Sequence, residues 1–380
     1  MDIENHSLKH ERYVCLDTLR GIAACLIAFI WHYQHLCNRE KQPLQPILSF
    51  FYEYGWVLTE MFFVISGFVM VCGYKDKIAN GVIGFREYIA KRYKRIYPLF
   101  LFTLIVVTAE QLCFMSFFGK SFVYKNFDLT HFVTNLLCVQ SGWFDNTMSF
   151  NGPAWCISVE LLCYIVFYLA VRFSKNSRKR YYLISIIMIM LGLGAISMKL
   201  KLPFFDYRYT ARGLLCFFVG VLLYEVYQNK KYAEIAKRIC VFALPLLLIF
   251  FLSDTIFKPN YNIWGNIRIV SSLFGFPVLI ISSLMFKPIK RLLSIRPFAF
   301  LGKISTSIYL WHFPIQGLMM ILHKSFGIFD FRRVGVMAIY IALSLAVATV
   351  SHIFLEKTLG KRISPIIDEL FGVHKIKDAV

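Results

Sequence analysis

Residues 58–70 read Leu-Thr-Glu-Met-Phe-Phe-Val-Ile-Ser-Gly-Phe-Val-Met, which sets Glu60, Ser66 and Gly67 inside a run apolar enough to cross a bilayer. A carboxylate at that depth is costly unless a protein partner or a wet cavity receives it, so it marks a functional site by default. The same problem recurs with Arg20 and His32 in the first apolar segment, Glu160 in a middle one, and Lys303 and His312 in a late one. These residues point to a membrane protein that carries chemistry or transport within the bilayer.

Apolar runs recur along all 380 residues, 58% of which are hydrophobic, with a mean hydropathy of +0.58. The runs are long and continuous, unlike the alternating segments of about ten residues in a barrel strand. The fold class expected is an all-α integral membrane bundle of about ten transmembrane helices. The spans read as 16–37, 50–74, 97–118, 152–171, 181–198, 209–227, 239–257, 267–286, 298–322 and 334–356. Residues 131–140 are too short to span and read as a re-entrant or interfacial piece.

Charge orients the spans. Of 42 lysines and arginines, 27 fall outside the spans on the side of the N-terminus and 11 on the opposite side. Both termini are therefore expected in the cytoplasm, with tails at 1–15 and 358–380 around a transmembrane domain at 16–357. No small-residue cleavage site follows the first apolar run, so that helix is expected to be retained. The expected location is the cell membrane, crossed many times, which in bacteria is the inner membrane. A net charge of +20 needs no nucleic acid, because topology and anionic lipid headgroups account for it. The ten cysteines form no Cys-x-x-Cys pair, and neither a disulfide nor a metal site is expected. No appended soluble domain is expected after the last span.

Depth groups the polar residues. On a helix His32 lies about 18 Å from Arg20, which puts it in the outer half with Arg20 near the inner face. Glu60 falls about 15 Å in from the outer face, Ser66 another 9 Å or so deeper, and Glu160 about 12 Å below the outer face. His312 lies in the outer half of the ninth span. His32, Glu60, Glu160 and His312 are thus expected at similar depths, and a histidine with a carboxylate partner suits general-base work. The alternative is a structural ion-pair network that locks the bundle. On the inner side, Arg92 and Arg95 are three apart on one helix face, and paired guanidiniums suit bidentate capture of phosphates. The alternative there is ordinary positive-inside charge.

Five motifs in order make the chain resemble the membrane acyltransferase 3 family. They are Leu16-Asp17-Thr18-Leu19-Arg20-Gly21 with His32, Glu60-Met61-Phe62-Phe63-Val64-Ile65-Ser66-Gly67-Phe68, Arg92-Tyr93-Lys94-Arg95-Ile96-Tyr97-Pro98, Trp155-Cys156-Ile157-Ser158-Val159-Glu160, and Leu301-Gly302-Lys303 with Tyr309-Leu310-Trp311-His312. There are departures. Eleven residues separate Arg20 from His32 where the family usually has ten, which turns His32 by about 100° on a regular helix unless a π-bulge absorbs the extra residue. Glu60 stands where an aspartate is commoner. The soluble esterase-like domain of some relatives is not expected here.

The resemblance implies transfer of an acyl group, most often acetyl, from cytoplasmic acyl-CoA to a hydroxyl of a surface polysaccharide, lipid-linked sugar or similar glycan. It implies Arg20, Arg92 and Arg95 on the CoA phosphates. It also implies His32 as base or acyl acceptor, with Glu60, Ser66 and Glu160 around it. Asp17, Trp155, Ser158 and His312 are further candidates, with His312 the alternative base. A transporter of a glycan or acylated precursor, or a membrane scaffold, would also bury charges in a polytopic bundle. The topology is directly testable. Reporter fusions after residues 85 and 175 should face the cytoplasm and those after 125 and 262 the outside, and a reversed pattern at either pair removes the depth argument.

Overall fold

The computed structural model describes residues 13–37, 39, 41–144, 147–257 and 264–373, without the side chains of 250–257 and 264–266. Most of both expected tails, at 1–12 and 374–380, lies outside the described residues, as does the outer reporter site at 262. The described chain is helical, with no strand in it. In order, the helices are α1 Val14–Leu26, α2 Gln45–Tyr54, α3 Leu58–Ala79, α4 Phe85–Phe118, α5 Leu129–Leu136, α6 Trp155–Phe173, α7 Arg178–Ser197 and α8 Thr210–Gln228. They continue with α9 Lys230–Phe257, α10 Trp264–Val270, α11 Phe276–Met285, α12 Lys287–Leu293, α13 Arg296–Lys303, α14 Ser305–Phe326, α15 Val334–Val350 and α16 Glu356–Leu370.

Among the described residues, eight helical stretches are long and apolar enough to span a membrane, so this is a multi-pass membrane protein. All eight coincide with spans read from the sequence. The other two expected spans are helical but less clear-cut. Span 239–257 is the second half of α9. Span 298–322 is divided between the short α13 and α14, and α14 carries His312, Pro314 and Gln316 in its middle. The division leaves Lys303 exposed at the end of α13.

The tightest crossing joins α3 and α8. A Cβ on Gly67 would lie 1.9 Å from the Phe217 carbonyl oxygen, and one on Gly220 would lie 1.9 Å from that of Val64. Close approach of this kind is how helices associate in lipid, where neighbouring tails are as apolar as leucine and packing must supply the attraction. Ion pairs flank the crossing: Glu60 with Arg212 at one end and Lys75 with Glu225 at the other. Both partners advance together along the chain, so the two helices run parallel. That agrees with the three spans, α4, α6 and α7, that lie between them in the chain.

A second close crossing seats α1 on α13. Cβ atoms on Gly21 and Gly302 would each lie 2.5 Å from the facing backbone, at Leu301 and Asp17. Beyond Leu26 the first helix widens into a π-turn over Ile27–Trp31, closed by the His32 amide donating to the Ile27 carbonyl at 2.8 Å. This turn absorbs the eleventh residue between Arg20 and His32, as the spacing requires for the two to keep one face. The Tyr340 hydroxyl donates to the Ala28 carbonyl in the turn at 3.0 Å, which ties α15 to it.

The segment before α6 is folded into the bundle. Within 131–140 the chain forms the eight-residue α5, capped by the Asp128 carboxylate, which accepts the His131 amide at 2.9 Å. Asn151, Gly152, Pro153 and Ala154 are buried, the last three as one 3-10 turn. The Tyr309 hydroxyl donates to the Pro153 carbonyl at 2.7 Å, and the Asn151 amide donates to Leu310 O at 3.2 Å. Leu310 O is the carbonyl that Pro314, lacking an N–H, leaves free.

At the other terminus, residues 356–370 form α16, which docks on α4 through Lys94 with Asp368 and the Tyr93 and Phe371 rings, 5.4 Å apart. The α3/α8 crossing yields a stability prediction. Gly67→Ala should lower the unfolding temperature in detergent, at a cost of at least the 1–3 kcal/mol or so of an overpacked core. Gly73→Ala, on the same helix with open space around it, should leave that temperature unchanged.

Candidate active site

A cavity of about 790 Å³, counting the part open to solvent, runs between α1, α3, α4, α6 and α14. Its polar lining comes from Arg20, Ser66, Arg95, Glu160, Tyr164 and Tyr309. All five sequence motifs thus contribute to one space, and the first-span arginine shares it with a second arginine from α4. Arg95 is exposed and Arg20 partly so. Deeper in, the Ser66 hydroxyl donates to Glu160 Oε1 at 2.6 Å and lies 3.1 Å from the Tyr164 hydroxyl, which donates to the same oxygen at 2.7 Å. Glu160 and Tyr164 are four apart on α6 and share a face.

Arg92 behaves differently from Arg95. It is buried, donates to the Tyr74 hydroxyl, and lays its guanidinium 4.4 Å from the Tyr74 ring centre and 5.9 Å from that of Tyr164. It lines a smaller neighbouring cavity with Tyr93, Tyr97 and Leu161. The expected arginine pair on α4 is thereby divided: Arg95 faces the main cavity with Arg20, and Arg92 packs behind its wall.

The two carboxylates are also divided. Glu60, with no exposed surface, accepts from Arg212 Nε at 2.8 Å and has Arg268 Nε at 3.4 Å. The expectation that Glu60 and Glu160 share a level is not met, because Glu160 reaches Ser66, six residues further along α3. The physical reason is the buried turn at 152–154, which starts α6 below the surface. Trp155 does not face a histidine either. Its ring lies 4.7 Å from the Arg212 guanidinium, so it belongs with Glu60. Ser158 is taken up by the backbone, donating to Ser141 O at 2.9 Å. Asp17 lies on the first turn of α1, where its backbone meets Gly302.

The ring that faces His32 is His312, with centroids 4.7 Å apart. His312 is fully buried, and its Nδ1 lies 2.6 Å from the Tyr309 carbonyl. A carbonyl can only accept, so Nδ1 carries the proton and Nε2 presents a lone pair. That Nε2 has no hydrogen-bond partner. His32 is only partly buried. Tyr309 stands between the histidines and the cavity, which it lines, with its ring centre 5.6 Å from that of His312.

Sequence reasoning left Arg212, Arg268, Tyr164 and Tyr309 out of the site. The arginines carried a signal of their own, since an arginine inside a span requires an anion and Glu60 required a cation. The tyrosines had none, being two among 21 in the chain. Among the described residues no three His, Cys, Asp or Glu side chains gather closely enough to hold a metal ion.

The chain is similar to several known proteins. The O-acetyltransferase OatA of Staphylococcus aureus is 24% identical over 337 residues, covering 81% of this chain and 53% of the relative. The O-acetyl transferase of Shigella phage Sf6 is 27% identical over 228 residues, 56% of this chain and 62% of that one. The putative acetyltransferase ORF330 of Acidianus two-tailed virus is 23% identical over 312 residues, 82% of this chain and 85% of that one. The chain spans about half the length of the staphylococcal relative. No solved structure matches it. The family model described as an acyltransferase domain matches residues 13–354, from the turn before α1 through the end of α15, and the chain belongs to that family.

Proposed function

We propose that this protein is a membrane O-acyltransferase that moves an acyl group, acetyl in the first instance, from acyl-CoA to a hydroxyl of a glycan or lipid-linked sugar. The observation that carries the reading is the histidine pair, joined through the Tyr309 ring, 5.6 Å from that of His312, to a cavity that Arg20 and Arg95 line. His312 is pinned through Nδ1, so its free Nε2 can accept an N–H from His32 and fix the tautomer of that ring. The other nitrogen of His32 then offers its lone pair to the acceptor hydroxyl. As His32 takes the hydroxyl proton, the oxygen attacks the thioester carbonyl, the C–S bond breaks, and the CoA thiolate leaves and takes up a proton. His32 is the base in this scheme and His312 the positioning residue.

The cavity suits the donor. It is lined by apolar side chains with a few polar groups among them, the usual make-up of a small-molecule site. Arg20 and Arg95 at its rim can hold phosphates by charge-assisted forks. With both termini in the cytoplasm, this rim faces the compartment that holds acyl-CoA. The names of the two O-acetyltransferase relatives support an acetyl donor and a hydroxyl acceptor. A glycan transporter is the second reading, favoured by the wholly buried Glu60 between two arginines, which is the kind of network a transporter also needs. Purified protein with radiolabelled acetyl-CoA separates the two readings: CoA release that depends on an added glycan acceptor supports transfer, and label-free flux in its place supports transport.

Two variant sets test the assignments. His32→Ala should lower transfer by at least about 10², the loss expected for a missing general base. His312→Ala should lower it less and His312→Gln least, all at normal protein levels. Full activity in His32→Ala with none in His312→Ala would reverse the two roles. On the donor side, Arg95→Ala should raise the KM for acyl-CoA by an amount equivalent to about 1.5–3 kcal/mol. Arg92→Ala should lower thermal stability and leave that KM within about twofold. Equal KM effects of the two would return Arg92 to the donor site.

A further inference from the structure

The buried charges around Glu60 do not balance. Glu60 serves two guanidiniums, Arg212 and Arg268. The other carboxylate nearby, Asp206, has no exposed surface and is engaged by Arg208 through Nε at 3.1 Å and Nη2 at 2.9 Å. Three arginines thus stand against two carboxylates, which leaves one positive charge among the described residues. Arg212 is committed through two nitrogens and its face: Nε bonds Glu60 at 2.8 Å, Nη1 bonds the Arg208 carbonyl at 2.9 Å, and the guanidinium stacks on Trp155. The surplus sits on Arg268. Its side chain is 21% exposed, and its guanidinium carbon lies 4.7 Å from the centre of the Trp56 ring. Its two terminal nitrogens make no hydrogen bond among the described residues, and its buried Nε has none of good geometry.

Trp56 links this arginine to the histidines. It follows Gly55, whose Cβ position would lie 2.9 Å from Trp31 Cβ, and Trp31 immediately precedes His32. A partly exposed indole beside an unfilled guanidinium fork suits a sugar ring that bears an anionic group. The indole covers the apolar C–H face, and the fork takes two oxygens of a carboxylate or phosphate. We propose that Arg268 and Trp56 form the acceptor subsite, and that the acceptor is an acidic sugar held by its anionic group while its hydroxyl reaches His32. The proposal rests on the acyltransferase reading for the identity of the bound sugar as acceptor. The binding itself does not depend on that reading. Glu60 and Arg212 are positioning residues here, holding Arg268 over the indole.

The test is tryptophan fluorescence of the full chain in phosphatidylcholine nanodiscs, titrated with methyl glucuronoside, glucose 1-phosphate and methyl glucoside. One or both anionic sugars should bind, the tighter of the two identifying carboxylate or phosphate as the recognised group, and methyl glucoside at least tenfold more weakly. Arg268→Gln should weaken the anionic sugars at least tenfold, and Arg268→Lys by less, while the thermal shift caused by CoA persists in both as evidence of an intact fold. The proposal is overturned if Arg268→Gln binds the anionic sugars as wild type does, or if none of the sugars binds wild type. A phosphatidylglycerol molecule retained by wild type and lost from Arg268→Gln, without any response to the sugars, would assign the arginine to lipid instead. Retained sugar binding without CoA release in the transfer assay would leave this subsite standing and remove the enzyme reading alone.

Discussion

The parallel contact between α3 and α8 is the constraint on which the rest of the bundle depends. Gly67 and Gly220 let the two backbones touch, and Glu60 with Arg212 fixes their register. Each part needs the other. Without the close approach the carboxylate could not be wholly enclosed, and without the ion pair a glycine seam in lipid could slide. Removing one partner of such a buried pair typically costs about 3–5 kcal/mol, because the remaining charge is left without compensation. The same register sets Ser66, next to the seam, against Glu160 and Tyr164 of α6.

From that contact the site divides into three regions with distinct electrostatics. Arginines 20 and 95 make one wall of the main cavity cationic. The Ser66, Glu160 and Tyr164 cluster holds one carboxylate oxygen at the cavity wall with two hydroxyl donors. The histidine pair lies beyond Tyr309, where one ring has its proton placed by a backbone carbonyl. The Glu60 group is bounded by Trp56 and Trp155, and Gly55, next to Trp56, packs on Trp31, the neighbour of His32.

Two local irregularities bring the histidines together. The π-turn over Ile27–Trp31 rotates His32 back to the face of Arg20, and Tyr340 bonds a carbonyl within that turn. Pro314 interrupts the ladder of α14 just past His312, and Asn151 occupies the carbonyl it frees. Both devices consume backbone hydrogen bonds that must be repaired in an environment without water. Tyr340 and Asn151 supply the repair, one from α15 and one from the buried turn ahead of α6.

Much of this was legible in the sequence. The length and continuity of the apolar runs determined an all-helical membrane fold, because hydrocarbon leaves the backbone few other ways to satisfy its hydrogen bonds. The cost of burying charge singled out Arg20, His32, Glu60, Glu160 and His312, and the extra residue after Arg20 left a choice between a rotated His32 and a π-turn, which the structure decided. Only the tertiary structure decided the partners: Glu60 with Arg212 and Arg268, Glu160 with Ser66, His32 with His312, and Arg95 in the cavity with Arg92 behind it. Depth along a helix follows from counting residues, so the sequence carries it. Partnership depends on how each helix is rotated and where it begins, and that was set by the glycine crossings and the buried turn at 152–154, which only packing between distant segments produces.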